Sequence, residues 1–193
     1  MKKIFTIAAV AVATLFGTVN ANAEGLYVGG AIGYWHDSKD ASVSDMPTNA
    51  FTIMPEVGYN INSKWAIGTQ IGYDFKHICN TDADSNIFRF NPYARYTFFR
   101  TNNNLVQLFL DGTAGIGLGW GDDWYGDHTL VTWQVGVKPG IAVNLTKKFS
   151  VVAHVGMLGY EGANNAAKRF GYKDQGGLLI DNTKLDFGFY FNF

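Results

Sequence analysis

Apolar and polar residues alternate with a period of two along almost the whole chain. That period belongs to strands, because successive side chains of an extended segment point to opposite faces. Eight such stretches are predicted, at 25–35, 50–60, 65–75, 87–99, 105–119, 129–143, 149–159 and 182–193. One face of each is large and apolar. It carries Val28, Ile32 and Tyr34 in the first, Ile53, Val57 and Tyr59 in the second, and Trp65, Ile67 and Ile71 in the third. Phe88, Phe90 and Phe98 follow, then Leu110, Ile116 and Leu118, then Trp133, Val135 and Val137. The seventh offers Val151, Val155 and Met157, and the last offers Leu185, Phe187, Phe189, Phe191 and Phe193. No charge falls on this face. The other face is small and polar. It holds Glu56, Asp74, Arg89, Arg95, Asp111, Lys138, His154 and Asp186, interleaved with glycines such as Gly58, Gly68, Gly117, Gly140 and Gly156.

Two architectures give this alternation. A soluble sandwich or barrel hides the apolar face, and a membrane barrel turns it to lipid and keeps the polar face in the lumen. Residue size separates the two. A solvated face is rich in Lys, Glu, Ser and Thr. A narrow lumen needs small residues beside a few polar ones, because eight strands leave room only for side chains. The predicted fold is therefore all-β, an eight-stranded antiparallel transmembrane up-and-down β-barrel. Composition agrees: 47% of residues are hydrophobic, yet mean hydropathy is only −0.02, because the apolar residues are never bunched.

The connectors alternate in length. Short polar turns are read at 62–64, 100–104 and 144–148, and longer segments at 36–49, 76–86, 121–128 and 161–180. Short periplasmic turns and long external loops follow this rule, and an even strand count puts both termini in the periplasm. Aromatic residues collect at the expected interfaces, with Tyr59, Trp65, Tyr96, Phe98, Phe149 and Phe193 toward the short turns and Tyr34, Tyr73 and Trp120 toward the long loops. Pro55, Pro92 and Pro139 recur inside the second, fourth and sixth stretches. Each predicts a bulge or a missing ladder bond.

The N-terminus reads as an export signal. Lys2 and Lys3 precede an apolar run at 4–16, and Ala21-Asn22-Ala23 is a small-x-small cleavage site. The run is shorter than the roughly 20 residues of a membrane-spanning helix. Residues 1–23 are thus expected to be a cleaved Sec signal peptide and residues 24–193 the barrel. Loss of Lys2 and Lys3 takes the formal charge from −1 to −3, a balance that excludes nucleic acid as a partner. Cys79 is the only cysteine, so no internal disulfide can form.

The C-terminal run Leu185-Asp-Phe-Gly-Phe-Tyr-Phe-Asn-Phe193 resembles the terminal-strand assembly signal of bacterial outer-membrane proteins. Pro55-Glu-Val-Gly-Tyr-Asn, followed by a short turn and Trp65-Ala-Ile-Gly, resembles the outer-membrane β-barrel domain family of small opacity-type, OmpX-like and OmpA-barrel-like proteins. The resemblance implies a porin-family-type barrel in the outer membrane of a Gram-negative cell. It further implies insertion by the barrel-assembly machinery and contact with outer-membrane lipid and lipopolysaccharide. It does not imply one function.

The polar residues offer four kinds of chemistry. The lumen charges could line a selective pore. A network of paired charges filling the bore is favoured, because charges in a narrow low-dielectric space are costly unless paired. A lipid-modifying enzyme would need a nucleophile beside a base. His36 with Ser38, and Ser150 with His154, are the available pairs; the second pair is separated by about 13 Å along one strand, so incidental placement is favoured. Asp122, Asp123, Asp127 and His128 could hold calcium but lack ordered ligand spacing. Trp120, Trp124 and Tyr125 are candidate loop contacts with a host or other cell-surface partner, and Lys168, Arg169 and Lys173 could touch lipopolysaccharide phosphates. No catalytic residue, metal or cofactor is assigned. The expected function is a non-enzymatic barrel displaying four external loops for surface interaction, adhesion or envelope integrity. A narrow channel for ions or small solutes ranks second and a lipid-modifying enzyme third.

Overall fold

The computed structural model describes residues 25–37, 48–79, 83–123, 126–179 and 185–193. Residues 1–23, expected to be a signal peptide, lie outside them with Ser38, Trp124 and Tyr125, as do the side chains of His36, Leu185 and Asp186. Among the described residues the strands are β1 (Leu26–Asp37), β2 (Thr48–Asn60), β3 (Trp65–Ile78), β4 (Asp84–Arg100), β5 (Val106–Asp123), β6 (Gly126–Asn144), β7 (Phe149–Val155), β8 (Met157–Ala163), β9 (Gln175–Leu179) and β10 (Leu185–Asn192), joined by a short helix, α1 (Asn165–Arg169).

Every pairing is antiparallel, and β1 to β6 each pair with the next. β7 and β8 share the seventh wall position, both pairing with β6, and β9 and β10 pair with β8 and β7 in turn. β10 returns to β1, from Tyr27↔Asn192 to Ala31↔Gly188, and closes an eight-stranded barrel. Closure is what lets strands cross lipid, where an open sheet edge would strand its N–H and C=O groups.

The two faces separate as the alternation requires. Ile32, Ile67, Phe88, Phe90, Ile116, Leu118, Val135, Phe187 and Phe189 are exposed on the wall. Glu56, Arg95, Asp111, Gln134 and His154 are buried in the bore. Tyr27 and Val28 are consecutive and both buried, so Val28 departs from the expected outward pattern.

The three prolines interrupt the ladder toward the following strand. Pairing of β2 with β3 skips Met54 and Pro55, and pairing of β4 with β5 skips Asn91 and Pro92. At Pro139 the interruption is larger. Lys138 and Pro139 stand against three residues, Val155, Gly156 and Met157, in a bulge between β7 and β8. Gly156 sits there at φ 72°, a left-handed conformation that suits glycine. The extra residue inverts the parity beyond it. Met157, expected to face outward, is fully buried, while Leu158 and Tyr160 are exposed. A one-residue slip moves every following side chain to the opposite face.

The long-loop end differs most from expectation. The strands run past their predicted ends, and β5 and β6 stay paired to Asp123↔Gly126, so most of the loop placed at 121–128 is hairpin. Much of the loop placed at 161–180 is ordered as the end of β8, α1 and β9. The short turns are held by side chains that accept backbone N–H groups. Asn62 Oδ1 accepts from Lys64 N at 2.8 Å and Trp65 N at 2.9 Å. Thr146 Oγ1 accepts from Phe149 N at 2.9 Å. Asn104 adopts φ 56° in the turn between β4 and β5, a conformation asparagine tolerates better than most residues.

Candidate functional site

The bore is filled toward its short-turn end, above the turns themselves, by one connected network. Arg95 on β4 donates from Nε and Nη2 to the two carboxylate oxygens of Asp111 on β5, both at 2.7 Å. Its Nη2 also donates to Tyr190 OH at 2.8 Å and lies 3.6 Å from Glu56 Oε1. Tyr93 OH donates to the same Glu56 oxygen at 2.5 Å, and Gln70 Nε2 donates to the other at 2.9 Å. The Tyr27 and Tyr93 hydroxyls meet at 2.5 Å. His154 Nε2 reaches Asp111 Oδ2 at 2.9 Å. The Arg95 guanidinium stacks over the Phe109 ring at 3.9 Å, a contact that strengthens when water is excluded. Glycines leave room for these rings: a Cβ at Gly58, Gly68 or Gly140 would overlap Tyr27, Tyr93 or Phe109 respectively.

A second layer lies toward the long loops. Arg89 on β4 donates to Asp74 on β3, which also accepts from Thr52 Oγ1 at 2.8 Å. Above it, α1 stoppers the mouth. Ala167 and Phe170 pack with Ile87 and Leu130, and Ala83, Ala163, Ala166 and Tyr172 gather around them. Asn164 caps the helix by accepting from Ala167 N at 2.9 Å, and ties it to the wall by donating from Nδ2 to Thr129 O at 2.9 Å. Arg169 lies 3.7 Å from Asp123, which also meets His128 at 3.0 Å. Lys168 Nζ donates to Asp174 at 2.6 Å and holds that exposed carboxyl below its usual range, helped by the Ala163 N–H.

Of the residues expected in the lumen, Glu56, Arg95, Asp111 and His154 thus meet in one cluster, and Asp74 and Arg89 form a second. Lys138 stands opposite Asp111 in the ladder, and Asp186 opposite His154. The tyrosines of the plug were missed. Tyr93 and Tyr190 occupy inward positions between exposed neighbours, and Tyr27 falls on the inward parity of β1 although Val28 beside it is also buried, so parity alone could have found them. The signal for α1 was also present: Asn164 before Asn165-Ala-Ala-Lys-Arg169 is a capping residue followed by helix formers with cations in the last turn.

The other candidates are dispersed. Ser150 Oγ donates to Asn144 Oδ1 at 2.7 Å, away from His154. Asp122 pairs in register with Asp127, while Asp123 and His128 contact each other; among the described residues no three such groups are placed to hold a metal. Trp120 is not in a loop: it lies on β5 opposite Thr129, half exposed, with its ring 5.9 Å from Phe88. With Trp133 stacked on Tyr160 at 5.1 Å, it belongs to an aromatic band on the wall. Trp65 and Tyr96, rings 4.8 Å apart, form its counterpart near the short turns. Among the terminal-strand aromatics, Phe187, Phe189 and Phe191 are exposed on the wall, and Phe193 packs edge-on against Phe191.

An apolar wall between two aromatic bands, closed around a packed polar interior, defines a small transmembrane β-barrel. The chain belongs to the outer membrane protein beta-barrel domain family, whose model matches residues 5–193. The protein is accordingly a bacterial outer-membrane barrel. Its fold is similar to that of the crystal structure of Neisserial surface protein A, with 18% identity, TM-score 0.55, and coverage of 88% of this chain and 98% of that one. It is also similar to the N-terminal β-barrel domain of Pseudomonas aeruginosa OprF, with 12% identity, TM-score 0.51, and the same coverage of each chain, 88% and 98%. No curated protein matches the sequence.

Proposed function

We propose that this protein is a non-enzymatic scaffold of the outer membrane that carries its long loops outside the cell for surface interaction, adhesion or envelope integrity. The short turns and both termini then lie in the periplasm. The observation that carries this reading is the double obstruction of the bore. The Arg95–Asp111–Glu56 cluster crosses the bore above the short turns, and α1 with Phe170 fills the mouth. At these two levels, fixed and mutually paired groups give a passing solute neither space nor unpaired ligands. The chemistry of the protein therefore belongs to its surfaces, with lipopolysaccharide and a host or cell-surface partner as the molecules the loops would meet. A surface protein among the similar folds is in keeping with this.

The test is conductance of the refolded 24–193 protein in a planar bilayer, with insertion established by heat-modifiable gel mobility. A silent bilayer is expected, together with loss of cell-surface binding when 38–47 is shortened and the barrel still folds. Steady discrete openings, changed by Glu56→Gln or Lys138→Gln, would establish the channel reading instead.

A further inference from the structure

At the short-turn end the bore is not filled. A cavity of about 300 Å³ opens between the turns and has the Arg95 layer as its floor. That volume is at the lower end of ligand pockets. Its lining includes Lys64, Arg95 and Arg100, with no carboxylate among its residues. The charge of Arg95 is already met by Asp111 and Glu56. Lys64 and Arg100 have no ion-pair partner among the described residues, and Arg100 donates only to Gln107 Oε1, at 3.2 Å.

The amides of the cavity are biased in the same sense. Asn62 Oδ1 is occupied by two backbone N–H groups, and Gln107 Oε1 by Arg100. These assignments are fixed, because the partners only donate. The ends left over, Asn62 Nδ2 and Gln107 Nε2, are donors. The cavity thus presents two uncompensated cations and two amide donors from two neighbouring connections in the wall, β2–β3 and β4–β5. Cations and amide donors with no carboxylate among them favour an oxyanion. Two positive charges suit a phosphate group, monoester or diester, both of which are anionic near neutral pH.

We propose that this vestibule binds the phosphate group of a small polar molecule, with Lys64 and Arg100 as its charged ligands and Asn62 and Gln107 as donors. Lys64 adjoins Trp65 of the aromatic band, so the phosphate has two physical sources: a lipid headgroup bending in over the rim, or a solute from the aqueous side.

The experiment uses the refolded barrel in octyl glucoside, free of phospholipid, titrated calorimetrically with glycerol 3-phosphate and, separately, with glycerol. A parallel sample is reconstituted in phosphatidylcholine vesicles containing phosphatidylglycerol, and the lipid retained on re-extraction is measured by mass spectrometry. Saturable binding of glycerol 3-phosphate but not glycerol assigns the aqueous source. Retention of phosphatidylglycerol without that titration assigns the headgroup. In either case Lys64→Gln with Arg100→Gln weakens binding at least about tenfold, the scale of a lost hydrogen bond to a charged group, while the barrel keeps its heat-modifiable mobility. Lys147→Gln, outside the cavity, leaves binding unchanged. No saturable response in either sample, or one that the double variant retains, overturns the proposal.

Discussion

Arg95→Ala is expected to destabilise the barrel by about 3 kcal/mol. The arginine makes two 2.7 Å hydrogen bonds to Asp111 and one of 2.8 Å to Tyr190, and it lies 3.6 Å from Glu56. Its side chain is 8% exposed and that of Asp111 4%. Truncation leaves two carboxylates in the bore without their shared cation. Removing one partner of a buried ion pair costs about 3–5 kcal/mol, because the remaining charge keeps its desolvation penalty. The low end applies here, since the vestibule beneath Arg95 lets water reach the exposed carboxylates. His154, 2.9 Å from Asp111, also remains to compensate one of them. The assay is equilibrium urea unfolding of the barrel refolded in vesicles, read by tryptophan fluorescence and by heat-modifiable gel mobility. Asp111→Ala and the double variant complete a cycle, with a coupling of about 2 kcal/mol or more expected between the two sites. A single-variant cost under about 1 kcal/mol, or strict additivity in the cycle, would refute the idea that this pair organises the plug.

Other consequences can be checked with the same preparation. Gly156→Ala places a Cβ at φ 72° and should cost about 1–2 kcal/mol, seen as an earlier urea midpoint; an unchanged midpoint would mean that the bulge relaxes. Ile116→Lys puts a charge on the exposed wall and should cost about 2–4 kcal/mol at mid-membrane; a neutral result would show that this position does not face lipid. Asn164→Ala removes the cap of α1 and its tether to Thr129, at about 1 kcal/mol, and hydrogen exchange should speed up in 165–170 while the wall strands stay protected. The Lys168 contact holds the Asp174 carboxyl below its unfolded value. Its contribution is therefore present above the ordinary aspartate range and lost as pH falls through the depressed folded value. NMR of this segment should show the contact releasing as pH falls below the ordinary aspartate range, and Lys168→Ala should move the Asp174 transition up toward that range.

Alternation by itself determined that the chain makes a wall with one lipid-type face and one polar face. Strand parity follows from local geometry, so Phe88, Phe90, Ile116 and Phe189 could be assigned outward, and Glu56, Arg95, Asp111 and His154 inward. The prolines were legible too, because a missing N–H breaks the ladder wherever the fold places it. Three things depended on the assembled barrel. Parity beyond Gly156 required knowing that Lys138 and Pro139 stand against three residues of the next strand, which no single strand encodes. The partners in the plug come from strands far apart in sequence, as Arg95 and Tyr190 do, and only the curvature of the closed sheet brings them within 2.8 Å. The fate of 161–180 rested on the bore as well. A five-residue helix is too short to be stable alone, and α1 exists because Ile87 and Leu130 at the mouth give Ala167 and Phe170 an apolar surface to cover.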